Sequence, residues 1–211
     1  MNPQHPSARP EPAKKRPKYL LTQSLLGSWL YVYNAFEKYE DAAYEDFVTV
    51  LNREDRPQTE AMLSGINFEN QVVSAAKGAN IEDPCVNAIA DIVRGGQFQV
   101  ALYRDKCIGD IDFLLYGKLD TLKAGIIYDI KWSKSYETGK YVKSIQHPFY
   151  FELCPEARRF EYLITDGQDV FNEGYDRMDT PGIDTTVNDF MRFLADCGLQ
   201  QVYFEKWRAR D

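Results

Sequence analysis

The chain has 211 residues, 44% of them hydrophobic and 14% aromatic, a composition that suits one globular domain with a proper core rather than a disordered segment. Its formal net charge of −7 argues against a protein that coats nucleic acid through a uniformly basic surface, but is compatible with an acidic centre behind a locally basic rim. No stretch approaches the roughly 18 to 20 apolar residues of a membrane span, and no signal-peptide-like apolar region follows the basic start, so a soluble, cytoplasmic protein is expected. Cys85, Cys107, Cys154 and Cys197 stand more than twenty residues apart, which argues for free thiols rather than a zinc ribbon or a locally spaced iron–sulfur site.

In chain order, residues 1–18 hold five prolines and read as a disordered or extended basic tail. The rest, 19–211, reads as one domain with a helical part to residue 96, a sheet core over 97–175 and a closing helix and strand. Leu25, Leu26, Trp29, Leu30 and Tyr33 predict a helix from Leu21 to about Tyr39. Further helices are expected over Ala43–Leu51, over Thr59–Ala76, and from Pro84 after the capping Asp83 to the Gly95–Gly96 pair. QFQVALYRD, CIGDIDFLLYG and GIIYDIKWS then read as three strands. A helix over Tyr141–Leu153, strands RRFEYLITDG and QDVFNEGY, a helix over Thr185–Ala195 and a last strand, QQVYFEKW, complete the expectation. The order describes an α+β (mixed-sheet α/β) domain with helices on its faces, an αβββαβ core behind a helical extension.

Strand alternation locates the chemistry. Asp110 and Asp112 share one face of IGDIDFLL, and Asp129 and Lys131 share one face of GIIYDIKWS. Both strands are otherwise apolar, and a charge buried there costs several kcal/mol unless paired or bound to metal. Converging carboxylates suit a hard cation, Mg²⁺ or Mn²⁺, and a lysine beside them can offset charge building on a phosphate. The alternative is a buried Asp–Lys ion pair without catalytic duty. His5 and His147 do not make a zinc site or a triad, and no GxxxxGK[ST] loop is present. Lys131, Lys134, Lys140 and Lys143 form a local basic stretch, interleaved with Trp132, Tyr136 and Tyr141, which either stack on single-stranded bases or pack.

Four segments together resemble the PD-(D/E)XK nucleases, in particular the RecB-like and phage-exonuclease branch, over roughly Leu21 to Thr165. They are GINFE (Gly65–Glu69), IGDID as the GxxD element (Gly109–Asp112), DIK (Asp129–Lys131) and QHPFY (Gln146–Tyr150). The resemblance implies a restriction-endonuclease-like fold and a metal-dependent DNA nuclease, an exonuclease on duplex ends in phage-type recombination or DNA processing. By the same resemblance Asp112, Asp129 and Glu69 are metal ligands for Mg²⁺ or Mn²⁺, with the Ile130 carbonyl as a further one. Asp110 is the alternative to Asp112. Lys131 would position or help deprotonate the attacking water, and Gln146 and Tyr150 would contact DNA or steady the site, with Lys134, Lys140 and Lys143 on the nucleic acid. DNA is the implied partner; a single-strand annealing protein and a homo-oligomer are left open, and a phage protein would work in the host cytoplasm. Three departures stand out. Asp replaces the commoner Glu before Lys131, Pro148 falls inside the Gln–Tyr helix, and the early helix lacks the cysteine of the iron–sulfur members, so no such cluster is expected. A structure-specific or restriction-type endonuclease and a catalytically silent nuclease-fold scaffold are the competing readings.

Overall fold

The computed structural model describes residues 16–35 and 40–210. Strand β1 (Lys18–Thr22) leads directly into α1 (Gln23–Tyr33), where the Thr22 hydroxyl caps the helix by accepting from the Leu25 N–H at 3.2 Å. Helices α2 (Glu40–Leu51), α3 (Glu60–Ala76) and α4 (Pro84–Val93) follow. Asp83 caps α4 through the Cys85 and Val86 amides, and Pro84 occupies the first helical position, where its missing N–H is not needed. The sheet core comprises β2 (Gln97–Ile108), β3 (Ile111–Lys123), β4 (Ile126–Trp132), α5 (Gln146–Leu153), β5 (Arg159–Thr165) and β6 (Val170–Asp176). Helices α6 (Asp184–Asp196) and α7 (Gln200–Lys206) close the chain. The result is a mixed α/β fold whose α4–β2–β3–β4–α5–β5 segment has the αβββαβ order.

The sheet runs β1-β3-β4-β5-β6, with β2 paired along β3. Strand β3 is shared. Its first half pairs in parallel with β1, up to Thr22↔Tyr116, and its last three residues pair antiparallel with β4, from Thr121↔Tyr128 onwards. Between these two ladders Gly117, Lys118 and Leu119 keep only β2 as a strand partner, and Asp120 has no register partner on either side. One apolar cluster, with Leu25, Phe47, Phe149, Phe190 and Tyr203, packs α1, α2, α5, α6 and α7 on one side of the sheet. A second, with Phe68, Val72, Val86 and Ile89 against Tyr128, Ile130 and Leu163, packs α3 and α4 on the other. Each fully buried side chain of this size contributes about 2 kcal/mol, so both layers are firmly seated.

Three expectations need correction. QQVYFEKW is a helix, not a strand: Tyr203 and Trp207, four apart, bury the same helical face, and Gly198 at φ +70° ends the preceding helix. Residues 18–22 pair with β3 instead of belonging to a tail or a helix, so the first helix begins at Gln23 and ends at Tyr33; the remainder of the expected tail and helix, residues 1–15 and 36–39, lies outside the described residues. Helix α5 begins at Gln146 rather than Tyr141. The buried Glu173 carboxylate accepts from the Gly139 and Tyr141 amides (3.2 and 3.0 Å) and from the Tyr136 hydroxyl (2.7 Å), tying the segment before α5 into a loop. Pro148 is then the third helical residue, within the turn whose amides have no intrahelical acceptor, so it removes no helix hydrogen bond. Among the described residues no helix is long and apolar enough to cross a membrane.

Candidate active site

Ala124 (φ +50°) and Gly125 (φ +75°) form the tight turn between β3 and β4, with both residues left-handed. Asp120 is the fourth residue before that turn and Asp129 the fourth after it, so the hairpin sets them opposite one another. The β3–β4 ladder does not continue to this level. Instead the Asp120 carboxylate accepts from the Ile130 N–H at 2.9 Å, replacing a backbone partner. The N–H and C=O of one strand residue project to the same edge, so the Ile130 carbonyl faces this opened gap too.

The alternation of β2 and β3 breaks at the same level. Leu119 and Leu122 both pack on the larger cluster although they are three apart, while Phe98 and Val100, two apart, pack on opposite clusters. Gln99 between them is left-handed at φ +55°, a conformation that costs a non-glycine residue about 1–2 kcal/mol. Its side-chain amide donates to the carboxylate of Glu69, on α3. Gly117, where β3 leaves β1, allows α5 to approach: a Cβ there would lie 2.6 Å from both Tyr150 and Leu153.

Asp129 is almost fully buried. Its Oδ1 accepts from the Gln146 amide, and its Oδ2 lies 2.7 Å from the Lys131 ammonium but has no partner of hydrogen-bonding geometry. Burial raises the Asp129 carboxyl above its ordinary range against the pull of Lys131 and Gln146. Asp120 is raised well above the usual carboxylate range by burial, then by Asp129 and Glu69, and Glu69 is raised by burial and by Asp129. For Lys131 burial disfavours the ammonium, but Asp129 and Asp120 outweigh it and the net shift is upward, so this lysine is charged at neutral pH. Three mutually repelling carboxylates, with the Lys131 ammonium on Asp129, form a set of hard donors that an added divalent cation would relieve. Among the described residues no three His, Cys, Asp or Glu side chains stand close enough together to hold a metal ion as placed, so the carbonyl of Ile130 and water would have to complete any such site.

The structure brings Glu69, Asp129, Lys131, Ile130 and Gln146 together. It does not bring Asp112 or Asp110 to them. Gly109 and Asp110 are the β2–β3 turn, and Asp112 is paired in register with Cys107 and Lys18 at the opposite end of β3. Eight residues of strand separate Asp112 from Asp120, roughly 26 Å. The GxxD spacing occurs twice along this stretch: Gly117-Lys118-Leu119-Asp120 repeats Gly109–Asp112 eight residues later, beside the opening. Asp120 and Gln99 were missed. The repeat and the two-residue turn signal could have found Asp120; nothing in the sequence announces Gln99. Gln146 and Tyr150 are buried, so they face the site's interior rather than solvent; the Tyr150 hydroxyl donates to the Lys118 carbonyl at 3.1 Å. Lys134, Lys140 and Lys143 are exposed, with Lys140 donating to Ser133 and Ser135. Tyr136 and Tyr141 pack, Tyr141 stacking on Tyr162 at 4.3 Å.

No family model matches the chain, and no curated protein matches it in sequence. Among solved structures, LHK-Exo in complex with dAMP aligns with a TM-score of 0.45 at 15% identity, over 88% of this chain and 91% of that one. The alkaline exonuclease LHK-Exo from Laribacter hongkongensis aligns at 0.41 and 14%, over 88% and 89%. SSO0001 aligns with a TM-score of 0.53 at 13% identity, covering 87% of this chain and 79% of that chain, and with it this chain shares a fold.

Proposed function

We propose that the chain is a metal-dependent nuclease that hydrolyses phosphodiester bonds in DNA, working as an exonuclease on duplex ends. The observation that carries this reading is the convergence of Asp120, Asp129, Glu69 and Lys131 where β3 and β4 part. The exonuclease preference rests on the motif resemblance of GINFE, DIK and QHPFY, now with GKLD as the GxxD element. Asp120 takes the place proposed for Asp112.

In this account Asp120, Asp129 and the Ile130 carbonyl would hold Mg²⁺ or Mn²⁺, with Glu69 as a direct or water-bridged ligand. Such an ion supplies Lewis acidity and lowers the pKa of bound water. The chain's own groups do the rest. Lys131 remains an ammonium, so it donates to the attacking water or a phosphate oxygen and stabilises charge there instead of abstracting a proton. Gln146 orients Asp129, and Tyr150 steadies the 117–120 stretch through the Lys118 carbonyl.

The test is digestion of end-labelled linear duplex, circular duplex and single-stranded DNA with Mg²⁺, Mn²⁺ or EDTA. Metal-dependent loss of the linear duplex is expected, with Asp129→Ala or Lys131→Ala slower by roughly 10²-fold or more and Asp112→Ala close to the parent. A Lys131→Ala protein that folds normally and cuts at the parental rate would refute the assignment. Cutting of the circle would make the enzyme an endonuclease.

A further inference from the structure

From the opened gap, β3 runs back toward the β2–β3 turn with one face half-buried rather than packed under a helix. On the larger cluster's side Phe113, Leu115 and Leu119 are buried, and Gly117 meets α5. On the other side the α3–α4 layer covers β4 and β5, through Tyr128, Ile130 and Leu163. The side chains of β3 and β2 that point that way have no helix over them: Lys118 is exposed, Tyr103 is 63% exposed, and Asp112, Leu114 and Tyr116 are half-buried. Tyr103 and Tyr116 are directly opposite in register and lie ring against ring, with centroids 4.7 Å apart at 30°.

The same strip ends in a cavity of about 500 Å³ where the two ends of the described chain meet. Residues beside β1 and after α7 are joined there, the Ala209 N–H donating to the Lys18 carbonyl at 2.9 Å. Arg16, Lys18, Arg208 and Arg210 line it, against Asp105 and Asp112. Lys18 is paired with Asp105, which leaves three arginines facing one remaining acid. In a chain of net charge −7 this is a pronounced local reversal of sign.

We infer that this open face of β1, β2 and β3 binds a single-stranded stretch of the substrate, with bases on the Tyr103–Tyr116 pair and phosphates in the Arg16–Arg208–Arg210 cavity. The inference rests on the nuclease reading for its direction, since the strip starts beside Asp120. A flat sheet surface with exposed aromatics offers stacking to any base, and the flanking cations complement the backbone. The path from Asp120 to Asp112, roughly 26 Å, spans several nucleotides. Asp112, displaced from the catalytic group, here limits the positive charge at the far end of the strip.

Binding of a 20-nucleotide single strand by the full chain, followed by fluorescence anisotropy in EDTA, separates this from cleavage. Tyr103→Ala and Tyr116→Ala should each weaken binding by roughly tenfold or more. Arg208→Glu with Arg210→Glu should weaken it further and flatten the dependence on salt. Calorimetric titration with Mn²⁺ should be unchanged in all of them, marking an intact catalytic end. Parental affinity in these variants, or no binding by the parent, would overturn the inference. So would a loss of sedimenting mass in place of affinity, which would make the face a contact between copies. If the parent binds through this face yet cuts no substrate, the surface stands and the nuclease reading falls.

Discussion

Burial first, then the neighbouring Asp129 and Glu69, make the charged form of Asp120 unfavourable in the folded chain, against the pull of Lys131 and the Ile130 amide. The folded-state pKa values of Asp120, Asp129 and Glu69 all lie above their ordinary values. A raised folded pKa means that the folded chain holds its protons more tightly than the unfolded chain. The stability from these groups is therefore complete below the unfolded value near 4 and is lost as pH rises through the folded value. In EDTA the melting temperature should fall across that window, and Asp120→Asn should reduce the fall while raising the melting temperature at pH 7. The asparagine oxygen can still accept from Ile130, so what is removed is the burial of a charge and its repulsion by Asp129 and Glu69, which together exceed the lost attraction to Lys131. Scanning calorimetry at several pH values checks this; a lower melting temperature for Asp120→Asn at pH 7 would mean that the carboxylate contributes to stability rather than opposing it.

At the level of elements, the site depends on where strands stop pairing. β3 passes from β1 to β4 over Gly117–Asp120, and β2 kinks alongside at Gln99. A left-handed glutamine within a strand is retained against a cost, and its contact with Glu69 supplies a reason. Gln99→Gly should relieve that strain and stabilise the fold by about 1 kcal/mol, a rise of roughly 2–4 °C for a chain of this size. It should also weaken metal binding and cleavage by about tenfold, because Glu69 loses the amide that orients it. A stabilised variant with parental metal affinity would reduce the kink to a device that protects an edge strand from pairing with another chain. Element boundaries also explain what the sequence concealed. Strict alternation located Asp129 and Lys131, because β4 keeps its period through them. It does not reach Asp120, because the expected strand CIGDIDFLLYG stops at Gly117 whereas β3 runs on to Lys123 through its pairing with β2 and β4. The same rule favoured Asp110 and Asp112, which alternate well but belong to the hairpin end.

For the whole molecule, the order of helices and strands from α1 through α6 was legible because caps, turns and apolar periods agree locally, as at Asp83-Pro84 and Ala124-Gly125. What escaped was set by tertiary pairing. Lys18–Thr22 becomes a strand only because half of β3 is free to receive it, and Gln200–Lys206 becomes a helix because Tyr203 and Trp207 pack on one side. The architecture places acids from α3, β3 and β4 at one opening and an open, partly basic sheet face behind it. In the proposed site Asp120, rather than Asp112, is the acid from β3 that completes the set.

Calorimetric titration with Mn²⁺ of the parent, Asp120→Asn and Asp112→Asn tests that most directly. The account predicts binding by the parent, its loss in Asp120→Asn and its retention in Asp112→Asn. Binding that survives Asp120→Asn but disappears in Asp112→Asn would contradict it.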